Sequence, residues 1–324
     1  ADADFKILDP QGQVVTAQRV SSRADGSNWY LWVPNVPPLG YTTLRILGEE
    51  GAQNLPEQAL VKPRGLLENE FYRLEVDSAR GGIVSLFDKG LKQELIDQSA
   101  DVALGAFIYE RLDNRTDMER LTNSNRDTVY VPLKKERVQL SDLQVMAVES
   151  TPLWDRMVIQ GQVPACADDR GVTVEIKLYH DKKQIALSYS MVKLPVTDPE
   201  AVYVAFPFAM GSDDQLVFDV QGGLVNPGQN QLEGTASDWN TVQTFAAVQN
   251  PKAQILWSSV DVPLVQLGGI NTGRFYYKHR PEKPHIYSWV LNNYWTTNFR
   301  ASQEGEMKWT YTISSAPDTT KAHA

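Results

Sequence analysis

The sequence contains little cysteine and little histidine. Its single cysteine, Cys166, excludes an intrachain disulfide and any metal site built from several cysteines. The four histidines are His180, His279, His285 and His323, and none belongs to an H-E-x-x-H pair. Zinc hydrolysis needs three or four ligands that converge on one point. The residues between His279 and His285 are rich in proline and show no ligand spacing, so we predict a solvated loop there and no metal site in this chain.

Long apolar runs are also missing. No uninterrupted stretch approaches the roughly 18–20 apolar residues of a membrane helix, so we predict no membrane partner. The chain opens with Ala1-Asp2-Ala3-Asp4-Phe5, which has no Met, no basic segment and no apolar segment of a targeting signal. Such a start is typical of a processed protein or an expressed fragment. It does not distinguish a cytoplasmic from a periplasmic location.

Basic residues are outnumbered by acidic ones. The chain carries 31 Lys and Arg against 40 Asp and Glu, which gives a net charge of −9. Nucleic acids and anionic membranes favour a basic surface, so neither is an expected partner. With 42% hydrophobic residues the composition is that of a globular protein with a large core.

Motifs for covalent catalysis, phosphate binding and calcium binding are missing or incomplete. There is no G-x-S-x-G, P-loop or dinucleotide-binding glycine pattern. Ser190-Met191-Val192-Lys193 matches S-x-x-K, but in a strand-like run rather than at the start of a helix. Asp113–Glu119 resembles part of a calcium loop without its central glycine and terminal glutamate, so we predict a solvated turn.

Strand patterns dominate the sequence. Runs such as Val172–Tyr179, Gln184–Val192 and Lys308–Ile313 alternate with period two, which is typical of half-buried strands. Turn signals such as Asn226-Pro227-Gly228 separate these runs. The best short helix candidate is Leu91–Leu104. Frequent strands and scarce helices predict an all-β fold made of one or more sandwiches.

A domain boundary is predicted near residues 55–66, where two prolines and a glycine interrupt the strand pattern. We therefore expect a small linking β domain over residues 1–60 and a large β domain over residues 66–315. Residues 316–324 are polar and are expected to form a frayed tail.

Aromatic residues are plentiful, with eight Trp and thirteen Tyr. Flat amphipathic rings suit both sugar faces and β cores. Asp238-Trp239 places a carboxylate beside such a ring, which suits carbohydrate binding, whereas a capped turn with a core Trp is the alternative. The 40 acidic residues do not by themselves identify the facing carboxylate pair of a glycosidase.

Several motifs in the chain occur together in one known enzyme family. The segment Leu67–Asp77, followed by Gly82–Lys89, looks like the signature that opens the large C-terminal β domain of glycoside hydrolase family 38, the α-mannosidases. Further stretches agree with the family in order: Val36–Tyr41, Tyr179-His180-Asp181 with Ile185, Ala205–Phe208, and Trp289–Phe299. The N-N-Y-W-x-T-N sequence in the last of these resembles the bacterial members especially.

The resemblance implies an all-β fold in which a small β-sandwich precedes a galactose mutarotase-like supersandwich. It further implies a zinc-dependent, retaining α-mannosidase as the parent protein. In that family the zinc ligands, including a His-x-Asp pair, and the aspartate nucleophile lie in an N-terminal α/β catalytic domain. No His-x-Asp occurs in this sequence. We therefore expect this chain to be a C-terminal, non-catalytic portion that is inactive alone. Its expected partners are that catalytic domain and α-mannosides. The sequence leaves open whether the protein forms a homo-oligomer.

The family resemblance does not fix the residues that reach the substrate, so candidates come from side-chain chemistry. The predicted set combines asparagine amides that can bind sugar hydroxyls, aromatic rings that can stack on a sugar, and a carboxylate. Its members are Asn292, Asn293, Tyr294, Trp295, Asn298, Asp238 and Trp239. The alternative for each is a structural role in turns and between sheets. Competing functions are a carbohydrate-binding module without an enzymatic partner, a scaffolding domain and an aldose epimerase, which would need an acid and a base on one face.

Overall fold

The computed structural model describes residues 5–48, 65–123, 132–167, 169–274, 279–295, 298 and 300–317. The predicted linker at residues 55–66 lies outside the described residues except for its last two, and so do residues 318–324 of the predicted tail. Among the described residues, no helix is long and apolar enough to span a membrane.

The N-terminal residues form two small antiparallel sheets. Their four strands are β1 (Phe5–Leu8), β2 (Thr16–Arg23), β3 (Gly26–Trp32) and β4 (Arg45–Gly48). β1 pairs with β4, and β2 pairs with β3. A small core of Ile7, Val15 and Ala17 is covered by Phe5 and Trp29. The predicted bounds of this small domain stay a prediction.

The remaining described chain holds nineteen strands and one helix. In chain order they are β5 (Leu66–Glu68), β6 (Tyr72–Asp77), β7 (Gly82–Asp88), β8 (Gln93–Glu94), β9 (Ala106–Leu112), α1 (Arg115–Asn123), β10 (Lys135–Gln139), β11 (Ser141–Ser150), β12 (Trp154–Gln162), β13 (Val172–Tyr179), β14 (Ile185–Lys193), β15 (Glu200–Phe206), β16 (Gln215–Val220), β17 (Gly223–Val225), β18 (Asn240–Thr241), β19 (Ala246–Gln249), β20 (Gln254–Ser258), β21 (Leu264–Leu267), β22 (Ile286–Asn292) and β23 (Gly305–Ala316).

The strands from β5 onward form three sheets. The order of the nine-stranded sheet is β11-β12-β13-β14-β23-β20-β19-β16-β17, and that of the six-stranded sheet is β10-β9-β15-β22-β21-β18. β5-β6-β7-β8 forms a four-stranded sheet. The nine-stranded sheet follows the alternation read from the sequence, since β13 alternates strictly between buried and half-buried residues. The prediction of an all-β fold with a large β-sandwich is confirmed.

The main core lies between the nine-stranded and six-stranded sheets. Tyr189 and Trp309, on neighbouring strands β14 and β23, stack with ring centroids 5.4 Å apart. Phe206 of the six-stranded sheet meets Tyr311 of the nine-stranded sheet edge-on at 4.9 Å. These contacts between facing sheets are the interdigitated packing of a β-sandwich.

The six-stranded sheet is covered on both faces. Every residue of β15 is buried, and its alternate side chains enter two different apolar clusters. Val202, Val204 and Phe206 enter the core between the sheets, whereas Ala201, Tyr203 and Ala205 point to the outer face. The outer face is covered by α1 and by loops, which makes it the place where loop residues meet a rigid sheet.

The helix prediction for Leu91–Leu104 is wrong. In this segment Glu94 accepts the backbone N–H groups of Leu86 and Ile96, and Asp97 accepts that of Ser99. Side chains that bind nearby backbone in this way favour turns over helix. The one helix among the described residues is α1, which begins after Asn114 within the segment predicted to be a solvated turn. The Asn114 side chain caps it by accepting the N–H of Asp117 at 3.0 Å.

Candidate functional site

The outer face of the six-stranded sheet carries the residues that build the site. Side chains two apart on a strand share a face, so Ile108 and Glu110 of β9 lie side by side there. Tyr287 and Trp289 of β22 do the same. Register pairs Glu110 with Ala201, and Tyr203 follows on the same face of β15. The chemistry that this surface offers depends on the loops above it.

Two segments that are far apart in sequence meet on this face and form what we call the aromatic platform, made of Trp239, Trp289, Tyr294 and Trp295. The ring centroids of Trp239 and Trp295 lie 5.7 Å apart, and each ring also contacts Trp289, at 5.5 and 6.2 Å. Trp289 and Tyr294 are buried, with 2% and 0% of their surface exposed, whereas Trp239 and Trp295 are half-buried. The platform therefore has a buried layer beneath two rings that reach solvent.

The turn that presents Trp295 is held from below. Asn293 accepts the backbone N–H of Glu200 at 2.7 Å through its side-chain oxygen. Its amide donates to the carbonyls of Val196 and Ala301 at 3.0 and 2.9 Å. Arg115, the first residue of α1, donates to the carbonyls of Asn293 and Tyr294 at 2.9 and 3.2 Å. These bonds fix the backbone from which Trp295 projects.

The loop that presents Trp239 is tied to a second loop. The Asn271 side chain donates to the Asp238 carbonyl at 2.6 Å and accepts the N–H of Gly273 at 3.0 Å. Gly273 has φ +67°, and a Cβ there would lie 2.5 Å from a Met118 side-chain carbon and 3.0 Å from the Tyr294 ring. Only glycine fits this position, because any side chain would collide with the packing beneath the platform. Asp238 is itself buried.

Glu110 is a buried acidic residue beneath the platform that the sequence did not single out. It is fully buried, and Arg137 Nε lies 2.5 Å from its Oε2. Thr272 donates to the same oxygen at 3.0 Å, and the Tyr294 hydroxyl donates to Oε1. Burial raises the pKa of Tyr294 well above its usual value, which keeps the phenol protonated as a donor. A buried carboxylate needs such partners, because an unpaired charge in the interior is strongly destabilising.

A sequence signal for Glu110 does exist. The strand Ala106–Leu112 is apolar apart from Glu110 and Arg111, and alternation places Glu110 on the same face as Ile108 and Leu112. A carboxylate on an otherwise apolar face requires a buried cation or hydroxyl donors. Its partners, Arg137 and Thr272, come from distant segments, so pattern alone could not have named them.

The remaining predicted candidates occupy different environments. Asn292 is half-buried at the end of β22, and Asn298 is exposed. Residues 296, 297 and 299 of the N-N-Y-W-x-T-N block lie outside the described residues. The structure thus brings Trp239, Tyr294 and Trp295 together, whereas the side chain of Asn293 is used within the fold.

A metal does not fit the described residues. Across the described part of the chain, no three His, Cys, Asp or Glu side chains come together in a metal-binding group. In the proline-rich loop, His279 Nε2 lies 2.9 Å from the Leu267 carbonyl, and His285 Nε2 lies 2.9 Å from Asp97 Oδ2. We therefore derive no catalytic step through zinc on this chain.

Comparison with known proteins identifies the family. Residues 67–256, more than half of the chain, match the glycosyl hydrolases family 38 C-terminal domain, and the chain belongs to this family. The resemblance drawn from the sequence motifs is thereby confirmed. No curated protein is similar enough in sequence to count as a relative.

Two solved structures from Enterococcus faecalis share the fold. An α-mannosidase from strain V583 is 14% identical, with a TM-score of 0.64 over 98% of this chain and 38% of that chain. A protein in the glycosyl hydrolase family 38 is 13% identical, also with a TM-score of 0.64, over 99% of this chain and 40% of that chain. The chain thus spans about two-fifths of the length of these proteins.

Proposed function

We propose that this chain is the C-terminal, non-catalytic β portion of an α-mannosidase-like glycoside hydrolase. It supports a catalytic domain of the same protein and lines the edge of the carbohydrate-binding cleft. Family membership and the likeness to the Enterococcus faecalis α-mannosidase over two-fifths of its length support this proposal. In the proposed parent, zinc and the nucleophile of a retaining reaction belong to the catalytic domain.

The observation that carries the proposal is the aromatic platform. Trp239 and Trp295 are half-buried, and their rings lie 5.7 Å apart at an angle of 45°. The exposed part of each ring offers an apolar face of the kind on which the C–H groups of a sugar pack. The buried layer of Trp289 and Tyr294 fixes both rings, so little conformational freedom is lost when a ligand binds.

The test uses the enzyme that joins this chain to its catalytic domain. Trp239→Ala and Trp295→Ala are each expected to raise KM for an α-mannoside oligosaccharide roughly 3- to 10-fold, because one stacking contact is worth about 0.5–1.5 kcal/mol. Smaller effects are expected on kcat. Tyr41→Ala is the matched control, since Tyr41 is an aromatic residue of the loop between β3 and β4 with 84% of its surface accessible. Unchanged kinetics in both tryptophan variants would rule out the platform as part of the cleft.

The chain by itself is expected not to hydrolyse 4-nitrophenyl α-mannoside. Release of 4-nitrophenol by the purified chain, stimulated by zinc and absent from a mock preparation, would contradict the non-catalytic assignment. A variant chain that carries Glu110→Gln serves as a further check, because any activity that depended on this buried carboxylate would disappear with it.

A further inference from the structure

A cleft of about 390 Å³ opens on the outer face of the six-stranded sheet, beside the aromatic platform. Its lining includes Ser99, Asp101, Ile108, Arg137, Lys283 and Tyr287. The volume falls within the roughly 300–1,000 Å³ of small-molecule sites, at the lower end. Tyr287 stands two residues before Trp289 on β22, so the cleft and the platform are neighbours about 7 Å apart along the strand.

Arg137 enters the cleft from a fixed position. Its Nε lies 2.5 Å from Glu110, and its Nη2 donates to the Thr272 hydroxyl at 2.9 Å and to the Ile270 carbonyl at 3.3 Å. None of these bonds uses Nη1, for which the described residues provide no acceptor. Arg137 therefore presents an oriented donor edge and needs no rearrangement to bind a ligand.

Lys283 also lines the cleft and is held by an ion pair. Asp97 Oδ2 lies 3.0 Å from Lys283 Nζ and 2.9 Å from His285 Nε2, and the Ser99 hydroxyl donates to Oδ1 at 2.6 Å. Burial would raise the pKa of Asp97, but the hydrogen bonds from Ser99, Lys283 and His285 outweigh it and hold the pKa well below the usual range. The Asp97 cluster is therefore charged and structured at neutral pH.

Two further polar groups in the cleft keep their hydrogen-bonding capacity. Neither the Tyr287 hydroxyl nor the Asp101 carboxylate forms a hydrogen bond with any other described residue, although both line the cleft. Tyr287 offers a ring face as well as a donor and acceptor, and Asp101 offers acceptors only. Ile108 and Ile270 supply apolar surface between these polar groups.

This combination selects the class of ligand. An anion would meet the carboxylate of Asp101, and a cation would meet Arg137 and Lys283. An apolar ligand would leave four polar groups desolvated without partners, which is unfavourable. A neutral polyol with one apolar face satisfies the donors, the acceptors and the aliphatic and aromatic walls together. A pyranose ring has this structure.

We propose that the cleft is a carbohydrate-binding site for a single neutral pyranose residue, separate from the platform and complete on this chain. Asp101, Arg137, Lys283 and Tyr287 bind its hydroxyls, and Ile108 and Tyr287 contact its apolar face. This goes beyond the proposed function, because the site needs no catalytic domain. Since the platform adjoins the cleft, a longer oligosaccharide would place one residue in the cleft and the next on Trp239 or Trp295.

The experiment measures binding of methyl α-D-mannopyranoside to the whole purified chain by saturation-transfer NMR and titration calorimetry. We expect a Kd of about 1 mM, which is typical of a ligand of this size. Tyr287→Phe and Asp101→Asn should each weaken binding roughly 3- to 10-fold, the effect of one lost hydrogen bond. Tyr41→Phe and Asp25→Asn make the same chemical changes in loops between the N-terminal strands and should leave Kd within about twofold.

Three outcomes would overturn the inference. The first is no detectable binding at ligand concentrations about tenfold above the expected Kd. The second is competition by inorganic phosphate, which would indicate an anion site. The third is loss of binding in Trp239→Ala together with normal binding in Tyr287→Phe and Asp101→Asn, which would place the sugar on the platform. The kinetics of the parent enzyme test the proposed function separately, so failure of one is distinguishable from failure of the other.

Discussion

The rings of Trp239 and Trp295 lie 5.7 Å apart, although Trp239 precedes β18 and Trp295 follows β22. β21 separates these two strands in the six-stranded sheet. The loops at the ends of the strands span that distance because both rings pack on Trp289, which projects from the outer face of β22. The two segments that the sequence analysis predicted as separate carbohydrate-binding candidates therefore form one surface.

The layered structure of the platform predicts unequal effects on stability. Trp289 is 2% exposed and stacks on Tyr203 with centroids 5.8 Å apart. Trp289→Ala should lower the free energy of unfolding by about 3–5 kcal/mol, since it leaves a large cavity. Trp239→Ala should lower it by only about 1 kcal/mol, because this ring is half in solvent already. Urea denaturation followed by circular dichroism measures both; equal losses would contradict the distinction between a buried and an exposed layer.

Glu110 is expected to be important for stability as well as for orienting Arg137. Glu110→Ala removes a fully buried carboxylate and leaves Arg137, Thr272 and Tyr294 without a shared partner. A loss of about 3–5 kcal/mol in unfolding free energy is expected, as for other buried ion pairs from which one partner is removed. Glu136→Ala is the matched control on the neighbouring strand, where an exposed side chain should matter by no more than about 0.5 kcal/mol. Similar effects of the two substitutions would mean that the buried network is not needed.

The fold was largely predictable because alternation is a local property. Runs such as Val172–Tyr179 show the strand period directly, and the structure has β13 over the same residues. Leu91–Leu104 failed because its apolar spacing resembled a helix, while Glu94 and Asp97 bind the local backbone and impose turns. Helix α1 was missed for the opposite reason, since it is short and polar and is stabilised by the Asn114 cap and by two buried side chains, Met118 and Leu121.

The candidate site was predictable only in part, because it depends on contacts between distant segments. Residue type alone selected Trp239 and Trp295, which suit a sugar face. The pairing of Glu110 with Arg137, on adjacent strands β9 and β10, required the register of the sheet. The cleft required still more, since Lys283 and Asp101 come to line the same cleft only after the loops have packed. Tertiary structure therefore decides which of the many polar residues converge.

Within the Asn-Asn-Tyr-Trp block, Asn293 has a structural role and does not offer its side chain to a ligand. Its side chain makes three hydrogen bonds to backbone groups, to Glu200, Val196 and Ala301. Asn293→Ala should therefore lower the unfolding free energy by about 2–4 kcal/mol, because buried backbone groups lose their partners. Asn292→Ala, the adjacent control, removes a half-buried side chain that makes no hydrogen bond to the described residues and should matter by about 0.5 kcal/mol or less. A larger loss of unfolding free energy in Asn292→Ala than in Asn293→Ala would contradict this structural role of Asn293.

His285 gives the chain a pH dependence near neutrality. Burial lowers the pKa of His285 and outweighs the hydrogen bond to Asp97, which acts in the opposite direction. Between this lowered pKa and the value of about 6.5 in the unfolded chain, the unfolded state binds more protons than the folded state. Stability should consequently fall as the pH drops through that window.

The Asp97 carboxyl does not add to this slope. Its pKa is held well below the usual range, so its stabilising contribution is already complete above about pH 5. We expect Tm to decrease from about pH 7.5 to about pH 5.5 in the native chain, and to decrease less in His285→Gln, whose neutral amide still donates to Asp97. At about pH 7.5 the imidazole is neutral in both the folded and the unfolded state. The Tm difference between His285→Gln and the native chain at that pH therefore measures the effect of packing alone. An identical Tm difference between the two pH values in both proteins would show that His285 is not the titrating group.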